Sequence, residues 1–269
     1  MKIGINRWTM PSEWSLTQCF QAARQAGFDT IEVNIGEKGE LTPETTQQDA
    51  RRIAEEARRS GIGLSSLSSG LGWSYPLTDP DPAKRERAIE ITQAQLRLAS
   101  WLGVDAILCV PGVVTSEVPY DVAYRRAQEA LERLIPVAES VGVVIGVENV
   151  WNKFLLSPLE MARFVDELES PWVQVYFDVG NVLVFGYPQH WIRILGHRIK
   201  KVHVKDFRIG IGNIRGFANL LQGDVPWAEV RQAFAEVGYD DVVTAEVEGY
   251  PGHPELGLRH IAECLRQVF

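Results

Sequence analysis

Cysteine and basic residues are both scarce in this sequence of 269 residues. The three cysteines, Cys19, Cys109 and Cys264, lie far apart and form no CxxC pair, so neither a zinc knuckle nor a disulfide framework is expected. The chain has 27 Lys+Arg against 35 Asp+Glu and a formal net charge of -8. Because nucleic acids are bound mainly by neutralising their phosphates, an acidic chain without a basic block argues against a nucleic-acid partner.

Long hydrophobic runs are also absent. No segment approaches the roughly 20 apolar residues that a membrane span needs, and Met1–Asn6 turns polar too soon for the hydrophobic region of a signal peptide. Apolar residues make up 45% and charged residues 23% of the chain, which is ordinary for a globular domain with a large core. We therefore expect a cytoplasmic protein without a membrane partner.

A short pattern recurs five times along the chain. In each instance a helix-like stretch ends in glycine and is followed at once by an apolar run rich in Val and Ile. The five glycines are Gly27, Gly61, Gly103, Gly142 and Gly238. Glycine suits the left-handed residue that closes a helix, and apolar runs without strict alternation are typical of parallel strands covered on both faces. The repeat therefore predicts alternating helices and parallel strands.

Eight strands are predicted in all. They are Lys2–Asn6, Thr30–Ile35, Ile62–Ser68, Ala106–Val110, Val143–Glu148, Val173–Asp178, Lys200–Val204 and Val242–Val247. Eight units over 269 residues leave about 34 residues each, which fits an α/β fold of the (β/α)8 TIM-barrel type. A doubly wound sheet is the alternative, but it requires a Gly-rich phosphate turn after the first strand, and none is found. We expect one TIM-barrel catalytic domain over residues 1–269.

Three helix starts are predicted from a capping side chain followed by proline. These pairs are Thr42-Pro43, Asp81-Pro82 and Ser157-Pro158. Glu160 stands three residues after Ser157 and completes the pattern of a capping box.

Four polar residues stand at or near the ends of consecutive predicted strands: Glu148, Asp178, His203 and Glu246. In a TIM barrel the active site lies at the carboxyl ends of the strands. Side chains alternate along a strand, and the apolar neighbours of these four residues would face the helices. All four polar side chains are therefore predicted to point toward the barrel axis.

Three carboxylates directed at one axis repel each other unless a positive charge lies between them. Taken singly, each could equally be a structural ion pair or a solvated strand end, but four together predict a divalent metal site. Three oxygen donors and one imidazole suit Mn²⁺ or Mg²⁺, with Co²⁺ and Zn²⁺ as further possibilities.

The motifs VENVWNKF, YFDVGNV, VHVKDFR and TAEV, in this order, resemble the sugar-phosphate isomerase/epimerase group of xylose-isomerase-like TIM barrels, and most closely the ketose 3-epimerases. The resemblance covers roughly Val143 to Val247. It implies that Glu148, Asp178, His203 and Glu246 bind one metal ion, and that Glu148 and Glu246 also move protons.

The same resemblance implies that Arg208 contacts substrate oxygens near the carbonyl. Many members of the group carry a sugar-contacting histidine at the position of Asn181. An asparagine can still donate to a hydroxyl there, but it cannot relay a proton as an imidazole does.

Further substrate contacts are predicted around the barrel mouth. Asn6 and Trp8 follow the first strand on the inward side, and Trp8 is placed to cover one face of a sugar. Lys153, Lys205 and Arg208 are candidate cations for a substrate phosphate. Two observations argue against a phosphate site: Lys205 adjoins Asp206 as a neighbouring charge pair, and no Gly-rich nest of backbone amides is present.

Two other features of the mouth are interpreted without a catalytic role. Glu32, inward on the second strand, is interpreted as a buried hydrogen-bond partner. The segment Arg208–Gly223 is interpreted as a lid or interface loop.

These residues predict inversion at C3 of a ketose or ketose phosphate through an enediolate, with one glutamate on each face of the carbon. Aldose–ketose isomerisation also goes through an enediolate and stays open as an alternative. Two weaker alternatives are an endonuclease IV-like nuclease, which needs a histidine-rich cluster, and a non-catalytic sugar-binding barrel. Association into a homo-oligomer is left open.

Overall fold

The computed structural model describes residues 1–269 and contains a closed barrel of eight parallel strands. The barrel strands are β1 (Lys2–Asn6), β2 (Thr30–Ile35), β3 (Gly63–Ser69), β4 (Ala106–Cys109), β5 (Val144–Glu148), β6 (Val173–Asp178), β7 (Ile199–Val204) and β10 (Val242–Ala245). Neighbouring strands follow the chain order, and β10 closes the barrel between β7 and β1. The predicted TIM barrel is confirmed.

Helices surround the barrel. They are α1 (Leu16–Ala26), α2 (Gln47–Arg59), α3 (Leu71–Ser74), α4 (Pro82–Leu102), α5 (Tyr120–Val141), α6 (Pro158–Asp166), α7 (Pro188–Leu195), α8 (Trp227–Val237) and α9 (Pro254–Val268), with short 3-10 turns at Arg7–Thr9, Gly196–Arg198 and Ile214–Gly216. Four of the predicted glycines cap α1, α4, α5 and α8 in the left-handed conformation. None of the helices is both long and apolar enough to cross a membrane.

Two of the three predicted helix starts are confirmed, because Asp81 and Ser157 cap α4 and α6. The start at Thr42-Pro43 is wrong. Residues 42–45 form a turn there, and α2 begins only at Gln47, where the Thr46 hydroxyl accepts the amide hydrogen bond of Asp49.

The capping box predicted at α6 is half formed. Ser157 accepts from the Glu160 amide at 3.2 Å, but the Glu160 carboxylate accepts from the Leu156 amide at 3.0 Å. It also accepts the Tyr120 hydroxyl at 2.6 Å. The tyrosine draws the carboxylate away from the amide of Ser157.

A small antiparallel hairpin extends the barrel beyond β7. Its strands are β8 (Asp206–Phe207) and β9 (Phe217–Ala218). The predicted loop Arg208–Gly223 therefore carries the second strand of the hairpin. Phe217 packs against Trp151, with ring centroids 4.9 Å apart, and this contact fixes the hairpin over the carboxyl end of the barrel.

Side chains alternate between the barrel interior and the helices as predicted. Val147, Phe177, Val202 and Ala245 are fully buried in the apolar layer under the helices. The residues between them point inward. Strand β10 ends at Ala245, so Glu246 is the first residue after it, and its amide donates to the Val204 carbonyl at 3.1 Å. That bond holds Glu246 beside the end of β7.

Candidate active site

Glu148, Asp178, His203 and Glu246 meet at the carboxyl end of the barrel. One ligand atom from each lies within 4.8 Å of those of the other three. Asp178 and His203 are fully buried, and Glu148 is 6% exposed. Groups this buried keep their charges only when they are paired with opposite charge. The structure therefore brings together all four residues that the sequence singled out.

The loop after β5 fixes Asp178 from two sides. The Asn149 side-chain oxygen accepts the Asp178 amide at 2.8 Å, and the Asn149 side-chain amide donates to the Asp178 carbonyl at 2.8 Å. The Asn181 backbone amide donates to Asp178 Oδ1 at 2.7 Å. Because Oδ1 is occupied, Oδ2 is the oxygen left to face the cluster.

His203 is held by a carboxylate behind it. Its Nε2 lies 2.5 Å from Glu32 Oε2. Its Nδ1 faces Glu148 Oε1 at 3.5 Å and Glu246 Oε2 at 3.8 Å, and has no hydrogen-bond partner. With Nε2 held by Glu32, Nδ1 is the ring nitrogen turned toward the two glutamates, and a carboxylate behind the ring is a common arrangement for metal-binding histidines.

Glu32 is the centre of a buried hydrogen-bond network, as predicted for it. Its carboxylate accepts the Asn6 side-chain amide at 2.6 Å, the Tyr176 hydroxyl at 2.8 Å and the Ser66 hydroxyl at 3.0 Å. These donors, from three other strands of the barrel, fix the position of the carboxylate behind His203.

Asn6 belongs to this network and not to the barrel mouth. It is fully buried, its side-chain amide serves Glu32, and its side-chain oxygen accepts the Trp8 amide at 2.7 Å. A substrate contact would break these bonds. The structure gives Asn6 a role in holding Glu32, and the substrate contact predicted at Asn6 stays a prediction.

Lys205 is the residue of the cluster that sequence reasoning placed wrongly. Its ammonium group lies 2.9 Å from Asp178 Oδ2 and 2.5 Å from Glu246 Oε2, whereas Asp206 is buried against Val225 and Trp227. The predicted neighbouring pair Lys205-Asp206 is therefore wrong. Parity gave the signal, because Lys205 stands two residues after His203 and points to the same side of the chain.

Burial and charge shift the proton affinities of the two glutamates in opposite directions. Burial raises the pKa of the Glu148 carboxyl to about 7, with His203 opposing the rise and the charge of Glu246 adding to it. Burial would also raise the pKa of Glu246, but Lys205 and His203 outweigh it and hold that pKa below its ordinary value. The pair thus offers one carboxyl that readily holds a proton and one that readily releases it.

The donor set fits a divalent cation. Nδ1 of His203 is buried without a hydrogen-bond partner, Oδ2 of Asp178 contacts the Lys205 ammonium, and both residues belong to the cluster with the two glutamates. Three carboxylates and one imidazole match the preferences of Mn²⁺, Mg²⁺, Co²⁺ or Zn²⁺. In the structure the ammonium of Lys205 supplies positive charge between two of these carboxylates.

A cavity of about 630 Å³ opens beside Glu246 and Lys205. Its lining includes Arg208 and Arg215 from the hairpin loop, together with Glu248. A volume of this size accommodates a small ligand of several carbon atoms.

Three other predicted contacts lie elsewhere on the mouth. Lys153 is exposed, has a left-handed backbone (φ 60) and does not line this cavity. Trp8 is 47% exposed and borders clefts on the side of α1 and the loop before α9. The Asn181 side-chain amide donates to the Asn149 carbonyl at 2.9 Å, so it is engaged within the protein.

A protein-family model described as "Xylose isomerase-like TIM barrel" matches residues 20–268. The chain belongs to this family. Curated relatives include "Putative L-ribulose-5-phosphate 3-epimerase SgbU" of Escherichia coli K12, 29% identical over 231 residues, which are 85% of this chain and 79% of the relative. L-ribulose-5-phosphate 3-epimerase UlaE of Escherichia coli O157:H7 is 24% identical over 213 residues, or 78% of this chain and 75% of the relative.

Solved structures share the fold over nearly the whole chain. D-psicose 3-epimerase from Clostridium cellulolyticum H10, solved with D-tagatose, has a TM-score of 0.83 at 20% identity and covers 100% of this chain and 99% of that one. An L-ribulose 3-epimerase has a TM-score of 0.80 at 20% identity, covering 99% and 92%. At this identity the likeness supports the fold alone.

Proposed function

We propose that this protein is a metal-dependent ketose 3-epimerase. The observation that carries the proposal is the convergence of Glu148 and Glu246, two glutamates with oppositely shifted pKa values, on one buried histidine and aspartate. The names of the curated relatives point to the same reaction class. We infer that residues 1–269 act as one catalytic domain.

Glu148, Asp178, His203 and Glu246 would hold the cation, with Mn²⁺ or Mg²⁺ as the first choice. When bound, the cation supplies positive charge that stabilises the enediolate as it develops at the carbonyl and the neighbouring carbon. Asn149 and the Asn181 amide fix the Asp178 carboxylate, and Glu32 fixes the imidazole of His203. Such partners behind the ligands commonly tune metal affinity.

The two glutamates would carry the proton chemistry. Inverting a carbon beside a ketone requires one base to remove its proton and an acid on the opposite face to return one. Without the cation, burial raises the pKa of Glu148, while Lys205 and His203 hold the pKa of Glu246 below its ordinary value, so the two carboxyls differ in proton affinity. The assignment of each glutamate to a face depends on which epimer is bound, since the reaction runs in both directions.

Arg208 lines the cavity next to Glu246 and is the proposed contact to substrate oxygens. Asn181 acts on the substrate indirectly in this proposal, by orienting Asp178. Trp8 and Lys153 lie outside the cavity lining and would contact only a substrate that extends across the mouth.

The proposal is tested by incubating the metal-loaded protein with L-ribulose and with L-ribulose 5-phosphate in D₂O and locating deuterium by NMR. C3 inversion with deuterium at C3 is the expected result. Deuterium at C1 or C2 of an aldose product would assign the protein to the isomerases instead. Absence of exchange at every carbon in both sugars would exclude both reactions for these substrates.

A further inference from the structure

Two arginines of the hairpin loop, Arg208 and Arg215, line the cavity beside Glu246 without an acidic partner. Arg208 Nε donates to the backbone carbonyl of Gln222 at 3.0 Å, and the Arg215 side chain makes no hydrogen bond or ion pair. Arg133, Arg193 and Arg198 each pair with a carboxylate, whereas other exposed arginines such as Arg59 do not; Arg208 and Arg215 differ from the latter because both line one cavity. In a chain of net charge -8, two such arginines in one cavity point to an anionic ligand.

The loop that carries the arginines is anchored at both ends. The Arg208 amide donates to the Gly216 carbonyl at 2.8 Å, and the Arg215 amide donates to the Asn213 side chain at 3.0 Å. Phe217 follows directly and packs on Phe207, with centroids 5.2 Å apart. The guanidinium groups therefore extend from a structured hairpin next to Lys205 and Glu246.

The chemistry of two guanidinium groups selects among anions. Guanidinium binds phosphate oxygens in bidentate geometry, and two of them balance a phosphate dianion. Lys205 also lines the cavity, but its charge is already balanced by Asp178 and Glu246. Glu246, one of the two glutamates proposed to transfer protons, also lines the cavity. A ligand that reacts at Glu246 and carries its negative charge on a distant carbon could therefore contact Glu246 and the two arginines at the same time.

We propose that Arg215, together with Arg208, binds the phosphate of a ketose phosphate, so that phosphorylated ketoses are the preferred substrates. This inference rests on the proposed 3-epimerase function for the reacting end of the ligand. For the phosphate end of the ligand, the inference rests on the residues that line the cavity alone. Glu248 also lines the cavity, and its negative charge opposes the binding of a phosphate. Removing this charge is therefore a control with the opposite expected effect on phosphate binding.

The test uses the full-length protein and the variants Arg215→Gln, Glu248→Gln and Arg59→Gln. Arg59 is an exposed arginine at the end of α2, outside the cavity lining, so its variant matches the charge change of Arg215→Gln. Turnover of L-ribulose 5-phosphate and L-ribulose gives the ratio of kcat/KM values for the ester and the free sugar. Titration of inorganic phosphate into chelator-treated protein by calorimetry gives binding without turnover and without metal coordination.

Arg215→Gln should lower the ester-to-free-sugar ratio at least tenfold and weaken phosphate binding at least fivefold. Glu248→Gln should strengthen phosphate binding, and Arg59→Gln should change neither quantity. If neither sugar is inverted at C3 but phosphate binding still depends on Arg215, the phosphate site stands and the proposed epimerase function fails. Equal turnover of both sugars, with phosphate binding unchanged in Arg215→Gln, would overturn the inference.

Discussion

His203 and Glu32 form a fully buried pair in which His203 Nε2 lies 2.5 Å from Glu32 Oε2, while Nδ1 of the same ring faces Glu148 and Glu246. The pair joins strands β7 and β2 across the barrel interior. Glu32 holds the ring in one orientation, and Asn6, Ser66 and Tyr176 hold Glu32. The position of Nδ1 therefore depends on residues that do not line the cavity beside Glu246.

Glu32→Gln should weaken metal binding by about 10–100-fold, because the neutral amide no longer favours the ring with Nδ1 free. Calorimetric titration with Mn²⁺ measures the change. Ser66→Ala serves as the control, since it removes one donor to Glu32 and leaves the His203 contact intact. Unchanged Mn²⁺ affinity in Glu32→Gln would show that the pair does not orient the ligand.

Asp178→Asn and His203→Ala should each lose metal affinity and, through it, epimerase activity. Excess Mn²⁺ should restore part of the rate, because the remaining ligands still form a site. The rate is measured against metal concentration after treatment with a chelator. Full activity of both variants in metal-free buffer would contradict a metal-dependent reaction.

Lys205→Met should destabilise the metal-free protein, because the fully buried carboxylate of Asp178 and the partly exposed carboxylate of Glu246 lose their counter-charge. Removing one partner of a buried ion pair costs about 3 kcal/mol or more, although proton uptake by the carboxylates reduces this. In the presence of a chelator, the Tm of the variant should be several degrees below that of the unmodified chain. Mn²⁺ should reduce this difference in Tm. The control is Lys200→Met, at an exposed pair with Asp105. A loss in Lys205→Met no larger than that of the control would contradict this account.

Acid should remove a stabilising contribution of Asp105. Burial alone would raise the pKa of this carboxyl, but Lys200 and Lys201 outweigh it and hold the pKa below its ordinary value. Its stabilisation is present above the unfolded pKa near 4 and is lost as the pH falls through the lower folded pKa. Since the side chain is 53% exposed, Asp105→Asn should cost roughly 0.5–1 kcal/mol at pH 7 after discounting for solvent.

Urea unfolding at pH 7 and at about pH 3, below the unfolded carboxyl pKa, measures this difference. The gap between Asp105→Asn and the unmodified chain should shrink at the lower pH. The exposed pair of Glu86 with Arg133 offers a comparison in which Glu86→Gln should have a smaller effect. A difference in the free energy of unfolding that is larger at about pH 3 than at pH 7 would contradict this prediction.

The fold was largely predictable because its signals are local. A glycine that closes a helix and an apolar run that follows it are encoded within a few residues, and three of the eight strands match the prediction at both ends. The wrong start at Thr42-Pro43 has a local reason too. Thr46 competes as a cap four residues later, and its bond to the Asp49 amide decides the helix start.

The four converging polar residues were also predictable, because strand ends and side-chain parity locate them without knowledge of packing. The residues that contact these four side chains were less predictable. Lys205 contacts Asp178 and Glu246 only because β6, β7 and the residue after β10 lie side by side in the barrel. The hydrogen bond of Asn6 to Glu32, 26 positions away, was likewise not predictable, because it depends on the pairing of strands β1 and β2.

The most direct test of the central claim is exchange of the C3 hydrogen with solvent in metal-saturated Glu148→Gln and Glu246→Gln, measured for both C3 epimers. Each amide can still reach the metal through its oxygen but cannot accept a carbon-bound proton at neutral pH. Turnover should fall at least 10²–10⁴-fold, the usual contribution of general acid–base catalysis. One variant should retain exchange with one epimer only, and the other variant with the opposite epimer. Full exchange and turnover in either variant would contradict the two-glutamate mechanism and leave that glutamate as a ligand only.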